Sequence, residues 1–334
     1  MNESQHQAVS KPALIPALVY YLILGLLLPV FLIGYLIWIG SMFARRESSA
    51  SATAQTPLFG RWLAHQMGTR SDEAARRLLP IAPGVPPLGW RLVGGPMVLA
   101  QRVSGYVPQV VRYPFEGEIT LQNQGGARQT FYDRVVHQYV PEIAQFVILG
   151  AGFDTRAFNL PKTVKVRSFE IDTPATVAVK HEMLTKAGID TNGVGLVPAD
   201  FEKEDWLDRL IDAGFDPGKP ALFIWEGVTP YLDRAAVEDT LRKIASTATG
   251  SVVAFDYFTT EVLESNALMM RAIRASLRAS GEPLKFGVDS TPPSRQRLAE
   301  LLQSCGLALI EQHTLGQEAH GKRAWGGFAI AGVK

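Results

Sequence analysis

Gln145-Phe-Val-Ile-Leu-Gly-Ala-Gly-Phe-Asp-Thr-Arg156 is the stretch from which the fold is read. Phe146 to Leu149 is an apolar run of the kind that a central parallel strand, covered on both faces, requires. Gly150 and Gly152 follow; lacking Cβ atoms, they tolerate positive φ and let the backbone approach a ligand closely. Asp154 and Thr155 predict a helix start, whose free N–H groups attract polar ligand groups. The pattern departs from the dinucleotide fingerprint GxGxxG at its third glycine, where Thr155 stands, so the close helix–strand packing of a dinucleotide site is missing. A bare GxG also occurs in ordinary turns, and the rest of the chain has to decide between them.

With 334 residues and 47% hydrophobic content, the chain can bury the core of one large or two small domains. A formal net charge of +1 and the lack of a dense basic run give no footprint for nucleic acid. The single cysteine, Cys305, excludes an internal disulfide framework and a cysteine-based zinc site. The histidines (6, 65, 137, 181, 313, 320) show no HxxxH spacing, so no metal site is predicted.

Pro12 to Ala44 carries no charge, a run of about 33 residues against the ~20 needed to cross a bilayer. It is too long and too aromatic for a signal-peptide core. One span over roughly residues 18–39 is predicted, with Tyr20, Tyr21, Tyr35 and Trp38 as interface anchors and a kink at Pro29. The competing reading is a buried core helix. Arg45 and Arg46 follow the run directly, which by the positive-inside rule places the bulk of the protein in the cytoplasm. The expected location is therefore the membrane, by a single-pass N-terminal anchor.

Residues 1–46 then form the anchor, and 47–125 a linker with a lid-like, membrane-proximal region. Ser48 to Thr56 reads as a flexible polar linker, and Asp72 to Leu79 as a helix with acidic start and basic end. Leu88 to Phe115, apolar but broken by Gly and Pro, reads as either a membrane-apposed lid or an ordinary surface excursion. From Gly126 a helix to Val140 presents Phe131, Val135, Val136 and Tyr139 on one face. Beyond the opening strand, strands at 164–171, 194–198, 221–225 and 251–255 alternate with helices at 173–187, 203–213, 233–245 and 260–280. A helix at 293–306 and two closing strands at 307–313 and 326–333 complete residues 126–334. This order predicts an α/β, Rossmann-like doubly wound sheet, with one antiparallel edge strand because the last two strands are joined too closely for a helical crossover.

Ligands bind such sheets beyond the carboxyl ends of the strands. Those positions hold Gly150 and Gly152, Glu170 and Asp172, Asp200, Glu226 and Asp256. Each acid alone also reads as a solvated strand end or helix cap; five in register favour a shared cleft. A carboxylate after the second strand suits both hydroxyls of a ribose, and Asp200 followed by Phe201 suits an adenine. No GxxxxGK[ST] is present to cradle a polyphosphate. S-adenosyl-L-methionine fits: a ribose, an adenine and a cationic sulfonium that acidic walls favour.

Several motifs in order carry a resemblance. Arg128-Gln-Thr-Phe-Tyr-Asp133, Val147 to Phe158, Phe169-Glu-Ile-Asp-Thr-Pro174 with Lys180, Pro198-Ala-Asp-Phe201 with Trp206, and Trp225-Glu-Gly-Val-Thr-Pro-Tyr-Leu232 resemble the leucine carboxyl methyltransferase family, in its bacterial S-adenosyl-L-methionine-dependent branch. The resemblance covers about Gly126 to the C-terminus. It implies a class I methyltransferase-like fold in which Arg128 pairs with the methionine carboxylate of the cofactor and Gly150 gives backbone room beside it. It further implies that Asp172 holds the ribose, Asp200 and Phe201 the adenine, and Glu226 the methionine amino group or a nearby water. Glu170 would orient the turn. An ion pair with Asp133 is the competing role for Arg128. The family's adenine motif usually reads Asp-Leu, where this chain has Asp200-Phe201.

The expected reaction is methyl transfer to a carboxylate or acidic hydroxyl of a lipophilic or membrane-associated acceptor, whether small molecule, lipid or protein. A carboxylate is ionised at neutral pH and needs no general base. Tyr231 is the candidate for orienting the acceptor; lining the pocket is its competing role. His137 and His181 read as helix-surface residues. The rival functions are a nicotinamide-dependent oxidoreductase, which Thr155 disfavours, and a non-catalytic membrane scaffold, which would not need Arg128, Asp172, Asp200 and Glu226.

Overall fold

Five apolar strands separated by amphipathic helices can bury both faces of a parallel sheet only by winding helices onto each side. That is the arrangement found. The computed structural model describes residues 14–44, 54–83, 86–120, 122–161, 163–279, 281–316 and 323–334. Its sheet comprises β1 (Gln145–Leu149), β2 (Arg167–Asp172), β3 (Val194–Pro198), β4 (Ala221–Trp225), β5 (Val252–Phe258), β6 (Leu307–Leu315) and β7 (Gly326–Val333). The order is β3-β2-β1-β4-β5-β7-β6. Strands β1 to β5 are mutually parallel, whereas β7 runs antiparallel to both β5 and β6. The antiparallel strand is thus inserted next to the edge rather than forming it. A short β6–β7 connection reverses direction, and β7 pairs with β5 as well as with its hairpin partner.

The helices are α1 (Leu14–Leu26), α2 (Leu28–Ala44), α3 (Gln55–Gln66), α4 (Glu73–Leu78), α5 (Pro87–Ser104), α6 (Gln124–Tyr139), α7 (Pro174–Ala187), α8 (Trp206–Asp212), α9 (Arg234–Ala245), α10 (Thr260–Glu264), α11 (Leu268–Ala279) and α12 (Ser294–Ser304). On one face Val147, Leu149, Phe169, Phe223 and Trp225 pack with Trp206, Leu241 and Leu298 from α8, α9 and α12. On the other, Phe146, Ile148, Leu222, Ile224 and Phe328 pack with Phe131, Tyr132 and Val135 of α6. Alternate side chains of each strand therefore feed opposite cores, as the pleat requires.

A third cluster joins the N-terminal helices to this body. Leu58, Trp62 and Leu63 of α3, Ala75 and Leu78 of α4, and Trp90 and Val98 of α5 meet Met183 and Leu184 of α7 and Phe153 of the glycine turn. The predicted helix at 72–79 forms, with the Asp72 carboxylate accepting from Ala75 N as its cap. The predicted linker ends early, because Gln55 and Thr56 already belong to α3; residues 48–53 lie outside the described residues. The interrupted segment 88–115 begins as one 18-residue helix, α5, that accommodates Pro96 inside it.

The single span predicted for residues 18–39 is replaced by two helices. α1 and α2 break at Leu27 and bend by 62°, and among the described residues no single helix is long and apolar enough to cross a membrane. Pro29, which has no N–H to donate, supplies the break foreseen at this place. Arg45 and Arg46 lie outside the described residues.

α5 meets α3 at a position with no room for a side chain: a Cβ on Gly94 would lie 2.5 Å from Trp62 Cζ3. Gly94→Val overpacks this contact. It is expected to cost about 1–3 kcal/mol, read as a lowered denaturation midpoint of the purified full-length protein, whereas the same change at Gly95, where a Cβ meets nothing, should cost less.

Candidate active site

β1 delivers the glycine turn at the centre of the sheet, beside β4, where the strand order reverses. Gly150 and Gly152 both adopt positive φ, +65° and +46°. A Cβ at Gly150 would fall 2.3 Å from Val228 Cγ2, and one at Gly152 would fall 3.0 Å from Ala54 Cβ, at the start of α3. The glycines are therefore fixed by conformation and by crowding together. The helix start predicted at Asp154 and Thr155 is a single 3-10 turn, Arg156–Phe158. Asp154 accepts from Arg156 N at 2.7 Å and closes that turn, so the segment after the glycines supplies no α-helix dipole.

Asp172, at the end of β2, is bound to this turn directly: its Oδ2 accepts from Gly152 N at 2.7 Å and its Oδ1 from Thr173 N at 2.7 Å. Burial pushes its pKa up, while the two backbone donors act in the opposite direction. A narrow cleft opens here between Gly152, Glu170, Asp172, Thr176, Lys180 and Leu196. Inside it Glu170 and Lys180 form a buried pair at 2.6 Å. Burial pushes Glu170 up to about 7 against the pull of Lys180. This pair locks α7 onto β2.

Arg128 on α6 does not pair with Asp133. Its Nε lies 3.6 Å from Asp256 Oδ2, beyond a direct hydrogen bond. Among the described residues that buried Nε has no hydrogen-bond partner. Asp256, which lies inside β5 rather than at its end as expected, instead receives Tyr132 Oη at 2.9 Å and Gly227 N at 2.6 Å, and so shapes the turn after β4. Tyr231 stands on that turn's 3-10 segment. Burial, then Glu282, push its pKa up to about 12 despite the opposing Arg128, so it is a neutral donor at physiological pH.

Glu226 at the end of β4 is bound by two arginines, Arg61 at 3.3 Å and Arg156 at 2.5 Å, both reaching Oε2. They belong to a network that the sequence reading did not find. Arg156 also pairs with Asp133 (2.7 Å) and Asp154 (2.6 Å), and Arg61 with Asp154 (2.6 Å). Arg70 joins Asp133 to Asp72, and Asp72 accepts from Thr155 Oγ1. Burial pushes Asp133 and Asp154 upward, but Arg156 with Arg70 or Arg61 holds both below the usual carboxylate range. The available signal was the run Asp154-Thr155-Arg156, read as a helix start. Arg61 and Arg70 carried none, being remote in sequence.

Asp200 and Phe201 lie apart from this network. Asp200 forms an exposed pair with Lys203 at 2.7 Å and accepts from Glu202 N. Phe201 packs against the core near Trp206, with ring centroids 6.1 Å apart. A backbone bond from Ala199 N to Asp172 O, 2.9 Å, keeps this strand end beside the Asp172 corner. His137 and His181 are exposed on their helices, as predicted.

The profile of the leucine carboxyl methyltransferase family matches residues 116–245. A Bacillus subtilis protein named "Putative S-adenosyl-L-methionine-dependent methyltransferase YktD" is 31% identical over 222 residues, 64% of this chain and 69% of that protein. Proteins bearing the same general name from Mycolicibacterium gilvum and Parafrankia are 40% and 31% identical, over 38% and 60% of this chain. The chain spans 42% and 56% of those two relatives' lengths. Among solved structures, a DUF574 family protein from Streptomyces avermitilis is similar at a TM-score of 0.47 and 14% identity, covering 87% of this chain and all of that one.

Arg156→Ala would remove the shared partner of three buried carboxylates, leaving Asp133 to Arg70 alone and Asp154 and Glu226 to share Arg61. A loss of about 3–5 kcal/mol is expected, measured by chemical denaturation. Glu170 adds a pH signature. Its folded pKa is raised above the unfolded value, so the stability it confers is full below about 4.5 and is lost as pH rises through about 7. Glu170→Gln should flatten that slope in denaturation midpoints taken across the same interval; an unchanged slope would refute the assignment.

Proposed function

Since the chain belongs to the leucine carboxyl methyltransferase family, in its bacterial S-adenosyl-L-methionine-dependent branch, we propose that it transfers a methyl group to the oxygen of a carboxylate or acidic hydroxyl on a lipophilic or membrane-associated acceptor. The observation that carries the cofactor assignment is Arg128. Its buried Nε has no hydrogen-bond partner among the described residues, and Asp256 stays 3.6 Å away. A guanidinium placed so is ready for a carboxylate such as that of a methionine tail.

The other residues fit the same ligand. Asp172 is held by two backbone N–H groups and keeps acceptor capacity for ribose hydroxyls. Gly150 and Gly152 give the turn between Arg128 and Asp172 no side chains of its own, with Val228 and Ala54 packed against them. Phe201 offers an apolar surface, and Asp200 a polar edge, for adenine. Glu226 meets the amino group or a water beside it. When bound, the cofactor supplies an electrophilic methyl group. The start of α3, seated on Gly152 through Ala54, closes over this region and keeps water away.

An ionised carboxylate acceptor needs no base, so catalysis rests on positioning and desolvation. Tyr231, neutral and close enough to Arg128 and Asp256 for their charges to act on it, orients the acceptor by donating from its hydroxyl. The protein binds the membrane through α1 and α2, with the catalytic body on the cytoplasmic side, because the uncharged run ending at Ala44 is followed in the sequence by two arginines.

Calorimetric titration with S-adenosylhomocysteine and with NADH tests the reading; selective NADH binding would sink it. Asp172→Ala should weaken S-adenosylhomocysteine binding by about 10- to 100-fold, the loss of hydrogen bonds to a charged group, while the protein still folds. Methyl-labelled cofactor incubated with the membrane fraction should leave a base-labile label on a lipid-extractable product if the acceptor is a carboxylate.

A further inference from the structure

The two N-terminal helices are not built like a span. α1 and α2 have 13 and 17 residues, about 20 and 26 Å at ~1.5 Å per residue, against a hydrocarbon core of ~30 Å. They meet at a 62° bend. Both are docked on the catalytic body. α2 crosses α5 backbone to backbone: a Cβ on Gly34 would lie 2.6 Å from Leu92 Cβ and 2.9 Å from Gly89 O, and one on Gly89 would lie 3.3 Å from Trp38 N. α1 is held by Tyr20, fully buried and edge-on to Tyr106 at 5.5 Å, just past the end of α5.

α5 itself returns to the body at both ends. Leu79 and Ala82 before it, and Val111 after it, pack in the cluster that contains Met183 and Leu184. Its middle is fixed by Trp90 against Trp62, 4.6 Å between centroids. A helix tied down at both ends on the same side cannot cross a bilayer, and α2, crossing it in contact, is held at its level. The outward surfaces differ in kind. α1 and α2 expose Leu18, Leu22, Leu32 and Leu36. α5 exposes Leu88, Leu99 and Val103 interspersed with Arg91 and Arg102. Arginines among leucines suit the headgroup level of an anionic bilayer and not its midplane.

We infer that α1 and α2 lie within one leaflet and do not cross the membrane, and that α5 is a third, interfacial helix whose Arg91 and Arg102 engage anionic headgroups. This rests on the membrane association proposed above and specifies its geometry. It has a consequence for the site. Trp62, on which α5 sits, follows Arg61, and Arg61 holds Asp154 and Glu226. The docking surface is thus joined through one helix to the carboxylates beside the glycine turn, which fixes the site at a set height over the lipid.

The test uses the full chain with Cys305→Ala and one new cysteine, either Ser4→Cys before α1 or His137→Cys on the exposed side of α6, in sealed inverted membrane vesicles. A membrane-impermeant maleimide should label both from the cytoplasmic face. Labelling of His137→Cys alone, with Ser4→Cys reached only after the vesicles are opened, would establish a span and overturn the inference. Recovery of the protein in the soluble fraction would overturn the membrane reading beneath it, a distinguishable failure. In flotation with vesicles of phosphatidylcholine containing about one third phosphatidylglycerol, Arg91→Gln with Arg102→Gln should reduce binding about tenfold. Binding equal to wild type would remove α5 from the interface.

Discussion

Arg156 is shared by three carboxylates that come from three different parts of the fold: Asp133 from α6, Asp154 from the glycine turn and Glu226 from the end of β4. A charged group this deeply buried is tolerated only when its partners are in place. Arg61 and Arg70 extend the constraint to α3 and to Asp72 at the start of α4. The network therefore sets the position of the N-terminal helices on the sheet and the shape of the turn beneath them. It leaves Arg128 outside, near Asp256 without a direct bond. Three arginines are thus consumed by the buried network, and Arg128 is not among them.

The same constraint accounts for the covered glycine turn. Gly152 has no side chain, so Ala54 can seat against it, and the Arg61–Asp154 pair holds α3 in that place. Closure over the site and stability of the N-terminal helices then have one cause. The apolar layer of Trp62, Trp90 and Phe59 continues from there to α2 through Trp38, whose ring lies 4.9 Å from Phe59. One continuous aromatic layer thus joins α2 to the helix seated on the glycine turn.

The differences between expectation and structure follow one pattern. The helix expected after Gly152 is replaced by a short turn because Asp154 and Thr155, good helix-capping residues in isolation, spend their side chains on Arg61, Arg156 and Asp72. The single apolar span becomes two helices because the chain breaks beside Pro29, and Gly34 then lets α2 pack closely on α5. The edge strand is misplaced because the pairing of β7 with β5 is a choice between partners distant in sequence.

The sequence by itself determined the strands and most of the helices, since apolar runs and amphipathic periods report burial locally. It also determined the family, through motifs held in a fixed order from Arg128 to Leu232. The glycines at 150 and 152 and the carboxylate at 172 were legible for the same reason: strand ends are marked by a change from apolar to polar within a few residues. Only the tertiary structure decided which charges meet. Arg61 lies 93 residues before Asp154 and Arg70 lies 63 before Asp133, and no local pattern encodes a partner at such distances. It alone decided, too, that the helices of the uncharged run fold back on α5, because backbone contact between Gly34 and Gly89 depends on a crossing of two helices that neither sequence segment specifies.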